Sequence, residues 1–285
     1  MKSLSALSRS ETAALRGLVF DLDGTVLDDG GALAFRTYHA LHRLAEAGLE
    51  LVVCTGRSAA WVDALTRQWP LTAGVAENGS IAFVPELERH PIEEAPSGEA
   101  RAEETAPPRR FRRLDRLDPE ARAARARALD DLVASLSERH PELALTDDNH
   151  GRISDRTFDI GERRQVASEV VARVRRDAAA MGARTAVSSL HLHVTLDADD
   201  KASGAVRTLH VLNGVDETEA CATYAYVGDS FNDVPGFLAF RLSFGVANVR
   251  RHASDLSCPP RFVSHGAAGS GFFEIAEALL AHRPR

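Results

Sequence analysis

Leu18-Val19-Phe20-Asp21-Leu22-Asp23-Gly24-Thr25 joins a short apolar run to two carboxylates set two positions apart. A continuous run of this length reads as a buried strand of an open α/β sheet. Alternate residues of a strand point the same way, so Asp21 and Asp23 at its carboxyl end face one crevice. Ligands of open α/β sheets bind in such crevices. Two neighbouring carboxylates repel unless a cation or a shared proton settles their charge. The pair therefore asks for a metal ion and gives the two acids reason to differ in role.

The segments around this strand repeat the same rhythm. Residues 32–47 carry Leu33, Tyr38, Leu41 and Leu44 on one helical face and stop at Gly48. Leu49 to Cys54 reads as a second apolar strand ending at Thr55-Gly56-Arg57, with a helix over 58–68 closed by Pro70. Two short strands flank the turn signal Glu77-Asn78-Gly79. Alternation of this kind predicts a doubly wound, mostly parallel sheet with helical crossovers.

The character changes at Pro85. Residues 85–118 are rich in Glu, Arg and Pro without sustained periodicity, and read as an irregular or mobile segment. A helix over 119–140, strands near 143–146 and 157–160, a helix over 165–181 and one alternating strand over 187–196 then predict a smaller α+β unit. On this reading residues 1–84 and 200–285 form the α/β core, and 85–199 are an insertion. The α/β rhythm resumes with a helix from Lys201 and a strand over 224–227 that runs into Gly228-Asp229-Ser230-Phe231-Asn232-Asp233.

Composition narrows the partners. The 285 residues are 44% hydrophobic and 26% charged, enough to build a core, and the formal net charge is −7. That balance argues against a nucleic-acid binder relying on a global positive field. Three widely spaced cysteines without a CxxC pair suit a reduced compartment. No signal-peptide core or run of about 20 apolar residues is present, so the expectation is a cytoplasmic protein without a membrane partner. Oligomeric state is not legible.

Four separated pieces carry the chemistry: Asp21 with Asp23, Thr55-Gly56, Lys201, and Asp229 with Asp233. Asp21, Thr55 and Asp229 each follow an apolar strand, and a doubly wound sheet gathers such positions at one edge. Lys201 starts a helix and could reach the same crevice. Carboxylates, a hydroxyl, a cation and free amides are the parts of magnesium-assisted phosphoryl transfer.

Taken in order, these pieces resemble the haloacid dehalogenase superfamily of phosphohydrolases, all four of whose motif regions occur along the chain. The insertion after Glu77-Asn78-Gly79 resembles the type-II cap of subclass IIB, which includes sucrose-phosphate, trehalose-phosphate and mannosyl-phosphoglycerate phosphatases. The resemblance implies a Rossmann-like core and an α+β cap. It implies that Asp21 is the nucleophile forming an aspartyl-phosphate and that Asp23 is the proton donor and acceptor. Thr55 and the Gly56 amide would hold phosphate oxygens, and Lys201 would balance charge. Mg²⁺ would sit on Asp21, the backbone carbonyl of Asp23, and Asp229, with Asp233 assisting directly or through water. Asn232 would contact phosphate or orient Lys201. The expected substrate is a small phosphate monoester, a sugar phosphate by resemblance. A phosphosugar mutase and a non-catalytic Mg²⁺ and phosphate sensor are the competing readings. Val234-Pro235-Gly236 departs from the usual apolar continuation of the last motif, and Pro235 fits a first helical turn.

Each piece has a plainer reading. Asp-x-Asp-Gly superficially suggests an EF-hand, but Gly24 stands fourth instead of sixth, and Ala32 occupies the position of the bidentate Glu. Thr55-Gly56-Arg57 alone would be a strand-to-helix cap, and Lys201 alone a surface lysine. Asp229 and Asp233 alone would be acids at a helix start. In the insertion, Ser189 to Thr195 alternates, which puts His191 and His193 on the face opposite its Leu and Val residues. Those histidines, with Arg57 and Asn78, are substrate candidates, the alternative being solvent-facing side chains. Arg152 and Arg156 are weaker candidates with surface positions as the alternative. Trp61 and Trp69 read as packing residues.

Overall fold

The computed structural model describes residues 1–28, 30–86, 109–188 and 190–283. From the amino end come β1 (Lys2–Ser3), α1 (Arg9–Thr12), β2 (Gly17–Phe20), α2 (Phe35–Glu46), β3 (Glu50–Cys54) and α3 (Ala59–Gln68). They are followed by β4 (Ala73–Ala76), β5 (Ile81–Pro85), β6 (Phe111–Leu114), α4 (Pro119–Arg139), β7 (Ala144–Leu145) and β8 (Asp155–Asp159). Next are α5 (Ser168–Ala180), β9 (Arg184–Val187), β10 (His191–Thr195), α6 (Lys201–Asn213) and α7 (Glu217–Thr223). The remaining elements are β11 (Tyr224–Gly228), α8 (Val234–Ala239), β12 (Leu242–Gly245), β13 (Phe262–Val263) and α9 (Ala268–Leu280).

Nine strands form one sheet in the order β1-β13-β12-β11-β2-β3-β4-β5-β6. Pairing is parallel from β1 through β4 and antiparallel at β4–β5 and β5–β6. From β2 the chain winds outward through β3 and β4, then returns to the other side of β2 with β11 and β12. Strand order therefore reverses at β2, and the crevice of a doubly wound sheet opens at such a point. All four residues of β2 are buried. Leu18 and Phe20 join the cluster containing Leu41, Leu44, Phe272 and Ile275 of α2 and α9. Val19 points to the opposite layer with Ala205, Leu209 and Phe237 of α6 and α8. Each such side chain contributes roughly 1.5–3 kcal/mol on burial, so β2 is anchored from both faces.

A second, antiparallel sheet has the order β7-β8-β10-β9. Phe158, Leu192 and Val194 pack with Leu129, Leu136, Val174 and Ala178 of α4 and α5, which cover one face. Helix α4 begins where Asp118 accepts from Ala121 N at 2.8 Å with Pro119 in its first turn, as the sequence predicts.

Several expectations need correction. The single strand expected over 187–196 is two strands, β9 and β10, folded back on each other. Their turn contains no Gly, Pro or Asn; Ser188 closes it instead, its hydroxyl accepting from His191 N at 3.0 Å. Within the segment 85–118 expected to be irregular, Phe111–Leu114 form β6 at the end of the large sheet, anchored by buried Phe111. Residues 87–108 of that segment lie outside the described residues. Pro235 sits in the first turn of α8, as expected. Among the described residues, no helix is long and apolar enough to cross a membrane.

Candidate active site

Asp21 directly follows β2, and its N–H donates to Val227 O at 2.9 Å, which ties it to the end of β11. Asp200 caps α6 by accepting from Ser203 N at 2.9 Å, and this places Lys201 as the first helical residue, with its side chain fully buried. The Lys201 ammonium lies 2.8 Å from Asp21 Oδ1 and 2.7 Å from Asp233 Oδ1. Asp233 Oδ1 also accepts from Tyr226 OH at 2.7 Å, while its Oδ2 accepts from Asp229 N at 2.8 Å and Ser230 N at 3.0 Å. Those donors fill the carboxylate's lone-pair directions. Asp233 thus holds Lys201 and shapes the loop after β11.

Donor atoms of Asp21, Asp229 and Asp233 lie within 4.8 Å of one another, and all three residues are buried. Burial raises the Asp21 carboxyl well above its usual range; Lys201 opposes that shift, and Asp233 and Asp229 add to it. Burial, reinforced by Asp233, pushes Asp229 up to about 7. Lys201 is shifted upward by Asp21 and Asp233 against the effect of burial, so it stays charged. Among the described residues the Asp229 carboxylate has only long contacts, 3.4 Å to Thr25 Oγ1 and 3.5 Å to Asn248 Nδ2. Buried, mutually repelling and weakly partnered carboxylate oxygens suit a hard divalent cation such as Mg²⁺. Asp21 and Asp229 fit that task; Asp233 has its oxygens engaged elsewhere.

The Asp23 carboxylate stands apart from this cluster. Arg57 grips it as a fork, with Nε at 3.1 and 3.0 Å and Nη2 at 2.6 Å. Arg57 in turn lies 4.7 Å over the Trp61 ring. Trp61, expected to pack in the interior, is instead 48% exposed, because it faces this guanidinium at the rim. Trp69 packs against the core and meets Tyr38 edge-on at 6.2 Å between centroids.

Thr55 is buried at the end of β3, and its hydroxyl accepts from Arg57 N at 3.2 Å. The N–H groups of Leu22, Asp23 and Gly56 find no acceptor among the described residues, so they are free to donate to an anion. Asn232 Nδ2 donates to Asn78 Oδ1 at 3.1 Å, closing the other side of the crevice. Glu77 and Asn78 hold positive φ values of 51° and 53°. Their turn is pressed against α6 so closely that a Cβ at Gly204 would lie 2.3 Å from the Gly79 Cα.

The antiparallel sheet presents its polar face to this crevice. His193 Nδ1 is 2.8 Å from Asp155 Oδ2, and Asp155 Oδ1 is 2.9 Å from Arg152 Nη1. That same Arg152 nitrogen donates to Gly56 O at 3.0 Å. A Cβ at Gly56 would fall 2.9 Å from His193 Cε1 and 3.0 Å from its Nε2. Burial pushes His193 down despite Asp155, so its ring is held neutral. Asp155 is held low by Arg152 and His193 although burial alone would raise it. His191 instead meets Glu162 at 3.0 Å, away from Gly56. Arg152 is buried and touches the candidate phosphate loop, whereas Arg156 pairs with Asp130 at 2.8 Å.

Beneath this contact Glu77 accepts from Ala59 N, Ile153 N, Ser154 N, Ser154 Oγ and Asp155 N, with shortest distances of 2.9, 2.9, 2.6, 2.5 and 3.3 Å. Sequence reasoning missed Asp155, Glu77 and Tyr226. The same-face spacing of Asp155 and Thr157 was the only available signal, and it also fits solvated strand residues. A cavity of about 690 Å³ joins Lys201, Asn78 and Asn232 to His193 and the strands beyond.

Residues 18–102 match the family model of the haloacid dehalogenase-like hydrolases. No curated protein matches the chain. Among solved structures, Thermoplasma acidophilum 0175 superposes with a TM-score of 0.67 at 19% identity, covering 93% of this chain and 98% of that one. The sucrose-phosphatase of Synechocystis sp. PCC6803, solved with sucrose and phosphate, gives 0.61 at 14% identity over 93% and 98%. The subclass IIB sugar phosphatase BT4131 gives 0.59 at 12% over 92% and 98%. The fold is therefore haloacid dehalogenase-like, with the second sheet in keeping with a cap. The family-model match over residues 18–102 and the shared fold agree with the resemblance drawn from the motifs.

Proposed function

We propose that the chain is a Mg²⁺-dependent phosphatase that hydrolyses a small phosphate monoester through an aspartyl-phosphate. The observation that carries this reading is Lys201, fully buried between Asp21 and Asp233 beside the third acid, Asp229. Such a site sets an anionic nucleophile, a fixed cation and a cation-binding pair at one sheet edge. Bound to Asp21 and Asp229, Mg²⁺ would offset negative charge on the ester and nucleophile.

The Asp21 carboxylate attacks phosphorus, and the bond to the leaving alcohol breaks as that oxygen takes a proton from Asp23. Thr55, the Gly56 N–H and the N–H groups of Leu22 and Asp23 hold the phosphoryl oxygens. Asp23, now a carboxylate, takes a proton from water that attacks the phosphoryl group, releasing phosphate and restoring Asp21. Arg57 aligns Asp23, and Asp233 holds Lys201. The polar face formed by Asp155 and His193 closes the crevice and limits water. A sugar phosphate is the substrate class supported by the sucrose-phosphatase and BT4131 likenesses. We also assign residues 85–199, apart from β6, to the cap, and place the protein in the cytoplasm.

Release of inorganic phosphate from a panel of phosphorylated metabolites, with and without Mg²⁺, tests the reading. Asp21→Asn should abolish release while leaving the circular dichroism spectrum unchanged. Retained turnover in that variant would refute the nucleophile.

A further inference from the structure

The cavity of about 690 Å³ runs past the candidate phosphate site and around the free edge of β9. Strand register sets its scale. His193 pairs with Ala186 and Thr195 with Arg184, so Arg184 is the diagonal neighbour of His193. Diagonal neighbours on a sheet stand roughly 7–8 Å apart. His193 lies against Gly56, and the register puts Arg184 on the same face of the sheet as His193, two residues along β9 from its pairing partner. Arg175 reaches the same edge from α5, where its Nε donates to Thr185 Oγ1 at 3.2 Å. Thr185 and Arg184 alternate in direction along β9, so the two guanidiniums flank this strand from its opposite faces.

The charges lining the cavity are unevenly satisfied. Asp155 has Arg152 and His193, and Asp199 has Arg116 and Arg207. Asp200 caps α6, Glu77 is surrounded by donors, and Lys201 lies between two acids. Among the described residues Arg184 donates only to Ala198 O and Arg175 only to Thr185. Neither has a carboxylate partner among the described residues. Both side chains are solvent-exposed, and what distinguishes them is their shared place on the cavity that holds Lys201, Asn78 and Asn232. Each is oriented by one hydrogen bond and keeps further N–H donors, arranged as the fork that matches carboxylate and phosphate oxygens.

We infer that Arg184, with Arg175 behind it, forms an anion subsite in the leaving-group pocket. The preferred substrate would then be a phosphate monoester whose leaving group carries a second anionic group, a carboxylate or another phosphate, a few bonds from the ester oxygen. This rests on the phosphatase reading and adds the charge of the leaving group to it.

The test compares kcat/KM of the Mg²⁺-supplied enzyme on a neutral polyol phosphate, a phosphorylated hydroxy acid and a bisphosphate of similar size. The acid ester or the bisphosphate should exceed the polyol phosphate at least tenfold, and the contrast between them identifies the second group. Arg184→Ala should lower kcat/KM, chiefly through KM, at least ten times more for the favoured anionic ester than for the neutral one. Arg184→Lys should recover only part, because the fork is lost. Equal loss on both ester types, or a wild-type preference for the neutral ester, would overturn the subsite. Calorimetric titration of the same esters into Asp21→Asn, with and without Arg184→Ala, reads the subsite without turnover. Weaker anionic-ester binding in the double variant supports it even if no ester is hydrolysed; unchanged binding refutes it.

Discussion

His193 Nδ1 lies 2.8 Å from Asp155 Oδ2, and both side chains are only 2% exposed. Asp155 is shared with Arg152, and Arg152 reaches Gly56 O. Through this chain of contacts, two residues 38 positions apart in sequence bear on the loop that follows β3. Asp155→Ala would leave the buried Arg152 with Asp148 as its remaining carboxylate and His193 Nδ1 without its partner, so it should cost about 1–3 kcal/mol. Asp155→Asn keeps the shape and should fold, with kcat/KM reduced about tenfold or more. Urea unfolding and steady-state kinetics check both; an unchanged midpoint in Asp155→Ala would contradict the contact's importance.

Magnesium binding should carry a pH signature. The Asp229 carboxyl, near 3.8 in the unfolded chain, is pushed up to about 7 by burial and by Asp233. Between those values the folded chain holds more protons than the unfolded one. The group's contribution to stability is thus fully present below about 3.8 and is lost as pH rises through about 7. A cation needs the deprotonated acid, so its binding offsets this loss most where the loss is greatest. The rise in Tm caused by saturating Mg²⁺ should be larger at pH 8 than at pH 5, and should vanish in Asp229→Asn. Equal rises at both pH values would rule out this linkage.

Gly204 has no room for a side chain: a Cβ there would meet the Gly79 Cα at 2.3 Å and the Gly79 carbonyl oxygen at 2.4 Å. Gly79 itself sits at a φ of +116°. Gly204→Ala should cost about 1–3 kcal/mol from overpacking. It should also lower kcat, since Lys201 lies one helical turn away. Thermal unfolding and kcat measured on the same preparation separate the two effects.

Arg57 and Asp23 are partly exposed, with side-chain exposures of 20% and 27%. Pairs of that kind are worth about 0–1 kcal/mol to stability. Arg57→Ala should therefore leave Tm nearly unchanged while reducing kcat about tenfold or more, because Asp23 loses the fork that aims it. A large fall in Tm with kcat intact would show that Arg57 serves the fold alone.

The residues at the ends of β2, β3 and β11 were legible because hydrophobic runs mark buried parallel strands and polar residues mark where they stop. Lys201 became legible through its place at the resumption of the α/β rhythm. The roles of His193 and Arg152 were not, since both depend on which side of a sheet faces another layer. Alternation predicted the shared face of His191 and His193, but only packing separates the one beside Gly56 from the one beside Glu162. The turn between β9 and β10 left no trace because serine closes it by a side-chain hydrogen bond, without the backbone-permissive residues that announce turns. Trp61 misled for a related reason: a large aromatic ring at helical spacing reads as interior, yet here it serves as a platform for a guanidinium.

Glu77 draws its donors from the start of α3 and from residues 153–155, two stretches of chain separated by β6 and α4. Drawing residues 153–155 away from α3 would leave this buried carboxylate with Ala59 N alone among these donors. One acid therefore rivets the two stretches together, and editing Glu77 would be expected to part them outright instead of loosening them by degrees.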